Sequence, residues 1–372
     1  MDKILSLEIV NFKTFKHLKI DDLGKNINFI YGKNNVGKTS ILEAIVLLLS
    51  YSVVQNMKTP NDVLNAFSTV LRSQFYGNRL LPFKSLWNSI FKNPDEEIRI
   101  EALLSNNDRL SLQIKPFDKY SSFSEIALEW KYSKDDKDEQ AFSIAISEPR
   151  METYSSTIPI PFLLNPMLPL LKPPKGKIDK QFNIVVMSHI LLYNANIMNG
   201  IYAKIVISNK KREFIDKLKT IEPDIEDLEH IPDEFDTIFV KKKNGTLVPI
   251  HQIGEGFLKM FHIIGSSFIG NGDTIVLIDE IENGLHYSVQ EQIFDNILKS
   301  SRDFNIQYFI TTHNYEFVER GIRNLENEYI EYIHSIRVIK KFDAKTSDYI
   351  INVLPIEGMK LKKLVEMEAE FR

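Results

Sequence analysis

The feature that most constrains this chain is a glycine-containing loop between a strand pattern and a helix pattern. Residues 27–31 form a short apolar run, and residues 39–49 contain neither glycine nor proline and are rich in leucine, isoleucine and alanine. Between them, residues 32–39 read Gly-Lys-Asn-Asn-Val-Gly-Lys-Thr, which satisfies the pattern G-x-x-x-x-G-K-[ST]. This order of strand, loop and helix predicts a loop that binds the phosphates of a nucleotide.

The positions of this loop have separate physical tasks. Glycine at 32 and 37 lets the backbone curve so that successive N–H groups face an anion, and the following helix adds the positive end of its dipole. Lys38 supplies a mobile positive charge, and the Thr39 hydroxyl is the expected ligand of Mg²⁺. The residues predicted to bind the nucleotide are Gly32, Lys33, Asn34, Asn35, Val36, Gly37, Lys38, Thr39 and Ser40.

A second apolar strand pattern, residues 274–278, delivers two adjacent carboxylates at its C-terminal end, Asp279 and Glu280. Ligands bind at that end of the strands in open α/β sheets. We assign Asp279 to Mg²⁺, bound through water. We assign Glu280 to the attacking water, because a carboxylate that is not occupied by the metal can orient and deprotonate it. Together with the loop and its catalytic Lys38, these carboxylates predict binding and hydrolysis of ATP.

A histidine follows the next strand pattern. Residues 307–310 form another apolar run, and the sequence Thr-Thr-His then ends at His313. This placement predicts that His313 lies beside the two carboxylates and contacts the γ-phosphate as a neutral imidazole. His286 follows Glu280 closely, and three roles stay open for it: a structural role, a subunit contact, or a part in the active site of a second copy.

The middle of the chain differs from its ends. We predict an N-terminal part of the catalytic unit at 1–50, an insertion of mixed helices and strands at 51–245, and a C-terminal part at 246–372. Antiparallel strands are expected at 97–114, and the proline-rich stretch 149–174 is expected to be a loop or a linker. Strand and helix patterns alternate at the two ends, which predicts an α/β fold with helices on both faces of a sheet.

Composition limits the compartment and the partners. The 372 residues include no cysteine, so no disulfide and no thiolate metal site is possible. The first twenty residues lack the apolar core of a signal peptide, and the longest apolar stretch is shorter than the roughly 20 residues that cross a bilayer. We predict a cytoplasmic protein without membrane contact. Its net charge of −4 neither requires nor excludes binding to DNA.

Taken in order, the motifs resemble the AAA_15/AAA_21 group of ABC-type ATPases, whose relatives include OLD-family, RecF and SMC heads. The segments that carry the resemblance are Phe12-Lys13, Gly32–Ser40, Gly254-Glu255-Gly256, Leu277–His286 and Thr311–Asn314. It implies an ABC-type P-loop ATPase head, with a mixed β-sheet and helices on both faces, interrupted by a large α+β insertion.

The resemblance also gives a meaning to the second glycine motif, Gly254-Glu255-Gly256, which precedes a helix pattern reaching Ile264. It implies that this motif closes on the γ-phosphate of ATP bound by a partner chain, which gives a homodimer or a higher homo-oligomer. Backbone N–H groups at the start of a helix can bind an anion in this way. The alternative is a glycine turn ahead of a core helix.

The departures from the family pattern narrow the implied function. The second glycine motif lacks the Ser-Gly-Gly-Gln form, the long coiled coil of SMC proteins is missing, and we expect no OLD-type nuclease domain after His313. Kinship therefore implies a stand-alone head that acts on DNA or on a separate, nuclease-like effector protein in phage defence. The alternatives are a RecF-like DNA-repair clamp, an ATP-binding scaffold with weak catalysis, and a transporter subunit, for which the insertion is unusually long.

Two basic runs are the candidate contacts with DNA, Lys210-Lys211-Arg212 and Lys241-Lys242-Lys243. The second run stands beside an Asn-Gly pair that predicts a hairpin turn. Exposed lysines are common beside such turns, so the alternative interpretation of both runs is a solvated surface.

Overall fold

A computed structural model of the chain describes residues 2–56, 90–115, 123–135, 138–149, 170–232, 236–268, 273–323, 325–344 and 348–367. The proline-rich stretch predicted as a loop or linker lies mainly outside these residues. Its two described ends belong to strands.

The strands are β1 (Ile4–Phe12), β2 (Phe15–Ile20), β3 (Ile27–Tyr31), β4 (Ile98–Leu104), β5 (Arg109–Lys115), β6 (Phe123–Lys134), β7 (Asp138–Pro149), β8 (Leu170–Gly176), β9 (Asn183–Met187), β10 (Ile225–Ile231), β11 (Thr237–Lys242), β12 (Leu247–Pro249), β13 (Thr274–Ile278), β14 (Gln307–Thr312), β15 (Ile333–Asp343) and β16 (Asp348–Glu357). The helices are α1 (Lys38–Leu49), α2 (Tyr51–Val54), α3 (His189–Leu192), α4 (Ala195–Ile207), α5 (Lys211–Leu218), α6 (Glu255–Ser266), α7 (Tyr287–Phe304), α8 (Tyr315–Arg323), α9 (Asn327–Ile330) and α10 (Gly358–Glu366).

Six strands form a central sheet in the order β16-β15-β3-β14-β13-β9. The strands from β15 to β9 are parallel, and β16 pairs antiparallel with β15 at one edge. Every residue of β3, β13 and β14 is buried, as expected for parallel strands that are covered on both faces. The strands predicted at 27–31, 274–278 and 307–310 are confirmed, and so is the mixed α/β class.

Seven strands form a second, antiparallel sheet in the order β2-β1-β4-β5-β6-β7-β8. Buried and more exposed residues alternate along β4 and β5, so one face of this sheet packs on the core and the other faces solvent. These two strands confirm the antiparallel pair predicted at 97–114.

Helix α1 lies between the two sheets. All of its residues except Thr39 are buried, and one hydrophobic core joins the helix to strands of both sheets. Trp130 of β6 donates a hydrogen bond through Nε1 to the carbonyl oxygen of Leu47 in the last turn of the helix, at 3.2 Å. The helix predicted at 39–49 is confirmed, and the antiparallel sheet holds its C-terminal end.

The opposite face of the central sheet is covered by a second hydrophobic core, built largely from α4 to α8 and from a small sheet of β10, β11 and β12. The range 51–245 therefore contributes strands to all three sheets, and its β9 completes the central one. The division of the chain at 50 and 245 stays a prediction. Among the described helices, none has both the length and the apolar character that crossing a membrane requires.

Candidate active site

The C-terminal ends of three neighbouring parallel strands meet at one edge of the central sheet. Strand β3 ends immediately before Gly32, and β13 ends immediately before Asp279 and Glu280. Strand β14 lies between these two and ends immediately before His313. The order of the strands therefore brings the glycine loop, the two carboxylates and the histidine to one place, as the sequence predicts.

Two glycines of the loop are required by close approaches. A Cβ atom at position 32 would lie 2.4 Å from the carbonyl oxygen of Val338, and one at position 37 would lie 2.7 Å from the ring of Phe15. Gly37 also has a φ of 93°, in the left-handed region that favours glycine. The loop thus takes a path that larger residues would block, and it leads directly into the N-terminus of α1.

Lys38 is buried, and its ammonium group lies inside the loop. It donates hydrogen bonds to the carbonyl oxygens of Gly32 and Lys33, at 2.9 and 3.0 Å. It also lies 3.0 Å from Nδ1 of His313. An ammonium group only donates, so Nδ1 accepts and the proton of a neutral ring lies on Nε2. Burial lowers the pKa of Lys38, and nearby carboxylates oppose that shift.

Asp279 is held by two threonine hydroxyls. The Thr39 hydroxyl donates to its oxygens at 3.0 and 3.2 Å, and the Thr311 hydroxyl donates to Oδ1 at 2.6 Å. The Thr311 oxygen also accepts a hydrogen bond from the backbone N–H of Glu280, at 2.8 Å. Burial raises the pKa of Asp279, and the hydrogen bonds from Thr311 and Thr39 counteract it. The Thr39 hydroxyl and the Asp279 carboxylate are hard oxygen donors, which suit Mg²⁺.

Both carboxylate oxygens of Glu280 have a partner. Nε2 of His313 donates to Oε1 at 2.6 Å, and the side-chain amide of Asn283 donates to Oε2. Lys38, His313 and Glu280 therefore form a continuous chain of hydrogen bonds. The backbone of Glu280 has a φ of 51°, a left-handed conformation that is unfavourable for a residue with a Cβ atom. The structure places His313 beside the two carboxylates, and its role stays a prediction.

The second glycine motif begins helix α6, and the helix predicted after it is confirmed. Glu255 packs against the turn that follows β13: a Cβ atom at Gly284 would lie 2.1 Å from its Oε2. Among the hydrogen bonds and ion pairs of the described residues, none joins Gly254, Glu255 or Gly256 to the loop 32–40. Within one chain, the motif therefore adjoins the Glu280 turn rather than the phosphate loop.

Lys259 of α6 fixes the turn that carries Glu280. Its buried ammonium group donates to the carbonyl oxygens of Glu280, Ile281 and Asn283, at 3.2, 2.9 and 2.5 Å. It also forms an ion pair of 3.5 Å with Glu255, one helical turn earlier. Burial lowers the pKa of Lys259, opposed by the nearby carboxylates. The same helix thus carries the second glycine motif and stabilises the turn at the candidate base.

Sequence reasoning missed four residues of this site: Thr311, Glu282, Asn283 and Lys259. Three of them stand inside motifs that were already noted, so their positions were visible although their contacts were not. Lys259 gave only one signal, its spacing of four residues from Glu255, which is the spacing of an ion pair on a helix.

The two basic runs have acidic partners. Lys210 and Lys211 lie within 4 Å of carboxylates of Glu213 and Asp227. Lys241 and Lys242 pair with Glu226, Glu229 and Glu222. These mixed charges favour the solvated-surface interpretation of both runs. His286 is exposed, and its role stays open.

The family comparison decides the class of the protein. Residues 27–319, which include the loop, the second glycine motif, both carboxylates and His313, match the AAA_21 family, described as "AAA domain, putative AbiEii toxin, Type IV TA system". The chain belongs to this family. It is an AAA-domain ATPase, which confirms the predicted resemblance to the AAA_21 family and the predicted enzyme class.

Two further proteins are similar to this chain in sequence, one over most of its length and one over a short segment. This AAA-domain protein is 28% identical to an "ATP/GTP phosphatase" of Helicobacter pylori over 340 residues, which are 85% of this chain and 86% of that protein. It is also 46% identical to the "DNA replication and repair protein RecF" of Clostridioides difficile, over 46 residues that are 12% of each chain.

Solved structures of SMC heads are similar to the AAA-domain protein over nearly its whole length. The SMC head bound to the C-terminal winged-helix domain of ScpA has a TM-score of 0.48 and 16% identity, and covers 97% of this chain and 99% of its own. The SMC head domain of Thermotoga maritima has a TM-score of 0.40 and 13% identity, with coverages of 95% and 99%.

Proposed function

We propose that this chain binds ATP with Mg²⁺ at residues 32–40 and hydrolyses it, and that two ATP-bound copies close across Gly254-Glu255-Gly256 to control DNA or a separate effector protein. The observation that carries the hydrolytic part is the hydrogen-bonded chain of Lys38, His313 and Glu280, beside the Asp279 carboxylate. These hydrogen bonds connect Lys38, the proposed phosphate-binding cation, through His313 to Glu280, the proposed base, at the same edge of the sheet.

Glu280 is the proposed general base. His313 donates to one of its oxygens and Asn283 to the other, so the carboxylate is held in place and its negative charge is partly balanced. A carboxylate in this position accepts a proton from water that attacks the γ-phosphate. Lys38 and the N-terminus of α1 supply the positive charge that the phosphates need.

Thr39 and Asp279 are the residues that would hold Mg²⁺. Their oxygens lie within hydrogen-bond distance of each other, so this pair of hard oxygen donors would hold the cation, with Asp279 acting through water. When bound, Mg²⁺ neutralises charge that develops on the phosphate oxygens. The hydrogen bond from Thr311 favours the ionised form of Asp279 and fixes the position of its carboxylate.

The proposal of closure rests on the start of α6. Gly254 has a φ of 130° and caps the helix, and a Cβ atom at this position would meet no atom within 4 Å. A helix N-terminus with open space in front of it can take a phosphate offered by a second copy. Since Lys259 and Glu255 join this motif to the Glu280 turn, closure would act on the candidate base of the same chain.

The test uses the Glu280→Gln variant, which keeps the size of the side chain and removes the base. We expect hydrolysis to fall by about 10²- to 10⁴-fold while ATP still binds. With ATP and Mg²⁺, light scattering should show twice the mass that is measured without nucleotide. Glu291→Gln, an exposed position on α7, is the matched control and should hydrolyse ATP at the wild-type rate. An unchanged mass with ATP would mean that the two-head switch is wrong for this chain.

A second candidate is a RecF-like DNA-repair clamp, and the short segment shared with RecF supports it. Adding double-stranded DNA to the ATP-bound Glu280→Gln variant separates the two candidates. A further rise in mass favours a DNA partner, and no change favours an effector protein. The family description, which names a putative toxin and a type IV toxin–antitoxin system, is consistent with the defence role. That role is tested by phage plating on cells that carry the wild-type chain or Glu280→Gln.

A further inference from the structure

Glu282 is a half-buried glutamate in the turn after β13 that the mechanism above does not use. Its Oε1 accepts hydrogen bonds from two successive backbone N–H groups, at 2.5 Å from His313 and 3.2 Å from Asn314. Both groups lie between the end of β14 and the start of α8. One carboxylate oxygen thus holds the backbone at the point where the His313 side chain leaves it.

The ring of His313 depends on that backbone. Its two nitrogens lie 3.0 Å from the Lys38 ammonium and 2.6 Å from the Glu280 carboxylate, so both contacts need one orientation of the ring. A displacement of the backbone by about 1 Å would break at least one of them. The Glu282 charge also opposes the effect of burial on Lys38, consistent with a place close to that ammonium.

The rest of the turn is fixed independently. Lys259 holds the carbonyl oxygens of residues 280, 281 and 283, and Asn283 contacts Glu280. Glu282 is therefore a side chain through which a turn that is already fixed holds the backbone N–H groups that follow the neighbouring strand. Its second oxygen, Oε2, is buried and makes no hydrogen bond with the described residues.

We infer that Glu282 is a positioning residue for ATP hydrolysis: its carboxylate fixes the backbone at His313 and so keeps the imidazole between Lys38 and Glu280. The inference rests on the proposed roles of Glu280 and His313. A purely structural role would be to stabilise the approach to α8, with no preferential effect on the chemical step.

The kinetic test uses the full chain with ATP and Mg²⁺. Glu282→Ala should lower kcat by about 10- to 100-fold with little change in KM, because it disturbs the geometry of the reaction rather than the loop that binds phosphate. Glu282→Gln keeps an acceptor oxygen and should retain most of the activity. Glu282→Asp keeps the charge but is one methylene shorter, so it should fail to reach both N–H groups and should lose activity.

A double-mutant cycle separates positioning from general damage. In a His313→Ala background, Glu282→Ala should cause no further loss of kcat, because its effect passes through the histidine. Losses that multiply would overturn the inference, as would a Glu282→Gln variant as slow as Glu282→Ala. Glu291→Ala is the control for loss of an exposed glutamate, and circular dichroism checks that each variant folds. If Glu282→Ala does not fold, the comparison of Glu282→Asp with Glu282→Gln decides.

An NMR measurement that needs no ATP hydrolysis distinguishes a failure of this inference from a failure of the proposed function. In an isotope-labelled chain, the backbone amide resonances of His313 and Asn314 should shift in Glu282→Ala and stay closer to wild type in Glu282→Gln. Unmoved amides would overturn the contact on which the inference depends. Shifted amides in a chain that does not hydrolyse ATP would keep the contact and refute the proposed function instead.

Discussion

Replacing Thr311 by valine tests the hydroxyl that joins the Asp279 carboxylate to the backbone of Glu280. Valine keeps the branched shape of this fully buried side chain and removes the hydrogen bond of 2.6 Å to Asp279 and that of 2.8 Å from the Glu280 N–H. A hydrogen bond to a charged group contributes about 1.5–3 kcal/mol and an uncharged one about 0.5–1.5 kcal/mol. The unfolding free energy should therefore fall by about 2–4 kcal/mol.

The matched control is Thr311→Ser, which keeps the hydroxyl and loses one methyl group, at a cost of about 1 kcal/mol. Urea unfolding of the two variants without nucleotide gives the difference that belongs to the hydroxyl. Because the Asp279 carboxylate and the backbone N–H of Glu280 lose a partner in the valine variant only, kcat/KM for ATP should also fall at least about tenfold below that of Thr311→Ser.

The pH dependence of the unfolding free energy of the two variants gives a third readout, and the pKa of Asp279 sets its direction. Burial raises the pKa of Asp279 above its ordinary value of 3.8, and the Thr311 hydroxyl opposes that rise by stabilising the ionised form. The stability gap between the valine and serine variants should therefore widen as the pH rises and Asp279 ionises. A gap below about 0.5 kcal/mol at every pH, with equal kcat/KM values, would refute the reasoning.

Three further predictions concern stability. Burial raises the pKa of Glu43 from 4.5 to about 7, although Lys13 pairs with it. The free energy of unfolding should therefore fall as the pH rises from 4.5 to about 7, by at most about 3 kcal/mol, and urea titrations of a Glu43→Gln variant should lack that fall. Lys259→Met should lower the unfolding free energy by about 2–3 kcal/mol, because the loss of three charged hydrogen bonds at the Glu280 turn is partly offset by no longer burying an ammonium group. The control Lys360→Met replaces an exposed lysine and should change the unfolding free energy by less than about 0.5 kcal/mol. Gly200→Ala in α4 should raise the melting temperature, because a Cβ atom there meets no atom within 4 Å and alanine favours the helix by about 1 kcal/mol. Gly321→Ala in α8 should lower the melting temperature, because its Cβ atom would lie 2.4 Å from the ring of Phe294.

The parts of the site that the sequence predicted are those that depend on short segments. The loop 32–40 needs only a strand before it and a helix after it, and the residues Asp279, Glu280 and His313 each stand within three residues of the end of an apolar run. Parallel pairing then brings these strand ends together without further information.

The rest depends on contacts between distant parts of the chain. Thr311 and Glu282 act across neighbouring strand ends, and no periodicity in the sequence distinguishes them from their neighbours. Lys259 reaches a turn more than twenty residues away in the sequence. For the same reason, the sequence did not predict that β9 in the middle of the chain would complete the central sheet beside β13.

The backbone of Glu280 connects the site to the stability of the whole fold. Its φ of 51° is a conformation in which glycine or asparagine would be more stable than glutamate, by about 1 kcal/mol. Replacing Glu280 by glycine should therefore remove strain from the backbone while it removes the carboxylate from the site. A search for more stable variants of this enzyme would therefore find Glu280→Gly among its candidates, and that gain in stability would come with a loss of hydrolysis. Under the role proposed for Glu280, stability and activity make opposite demands on one residue.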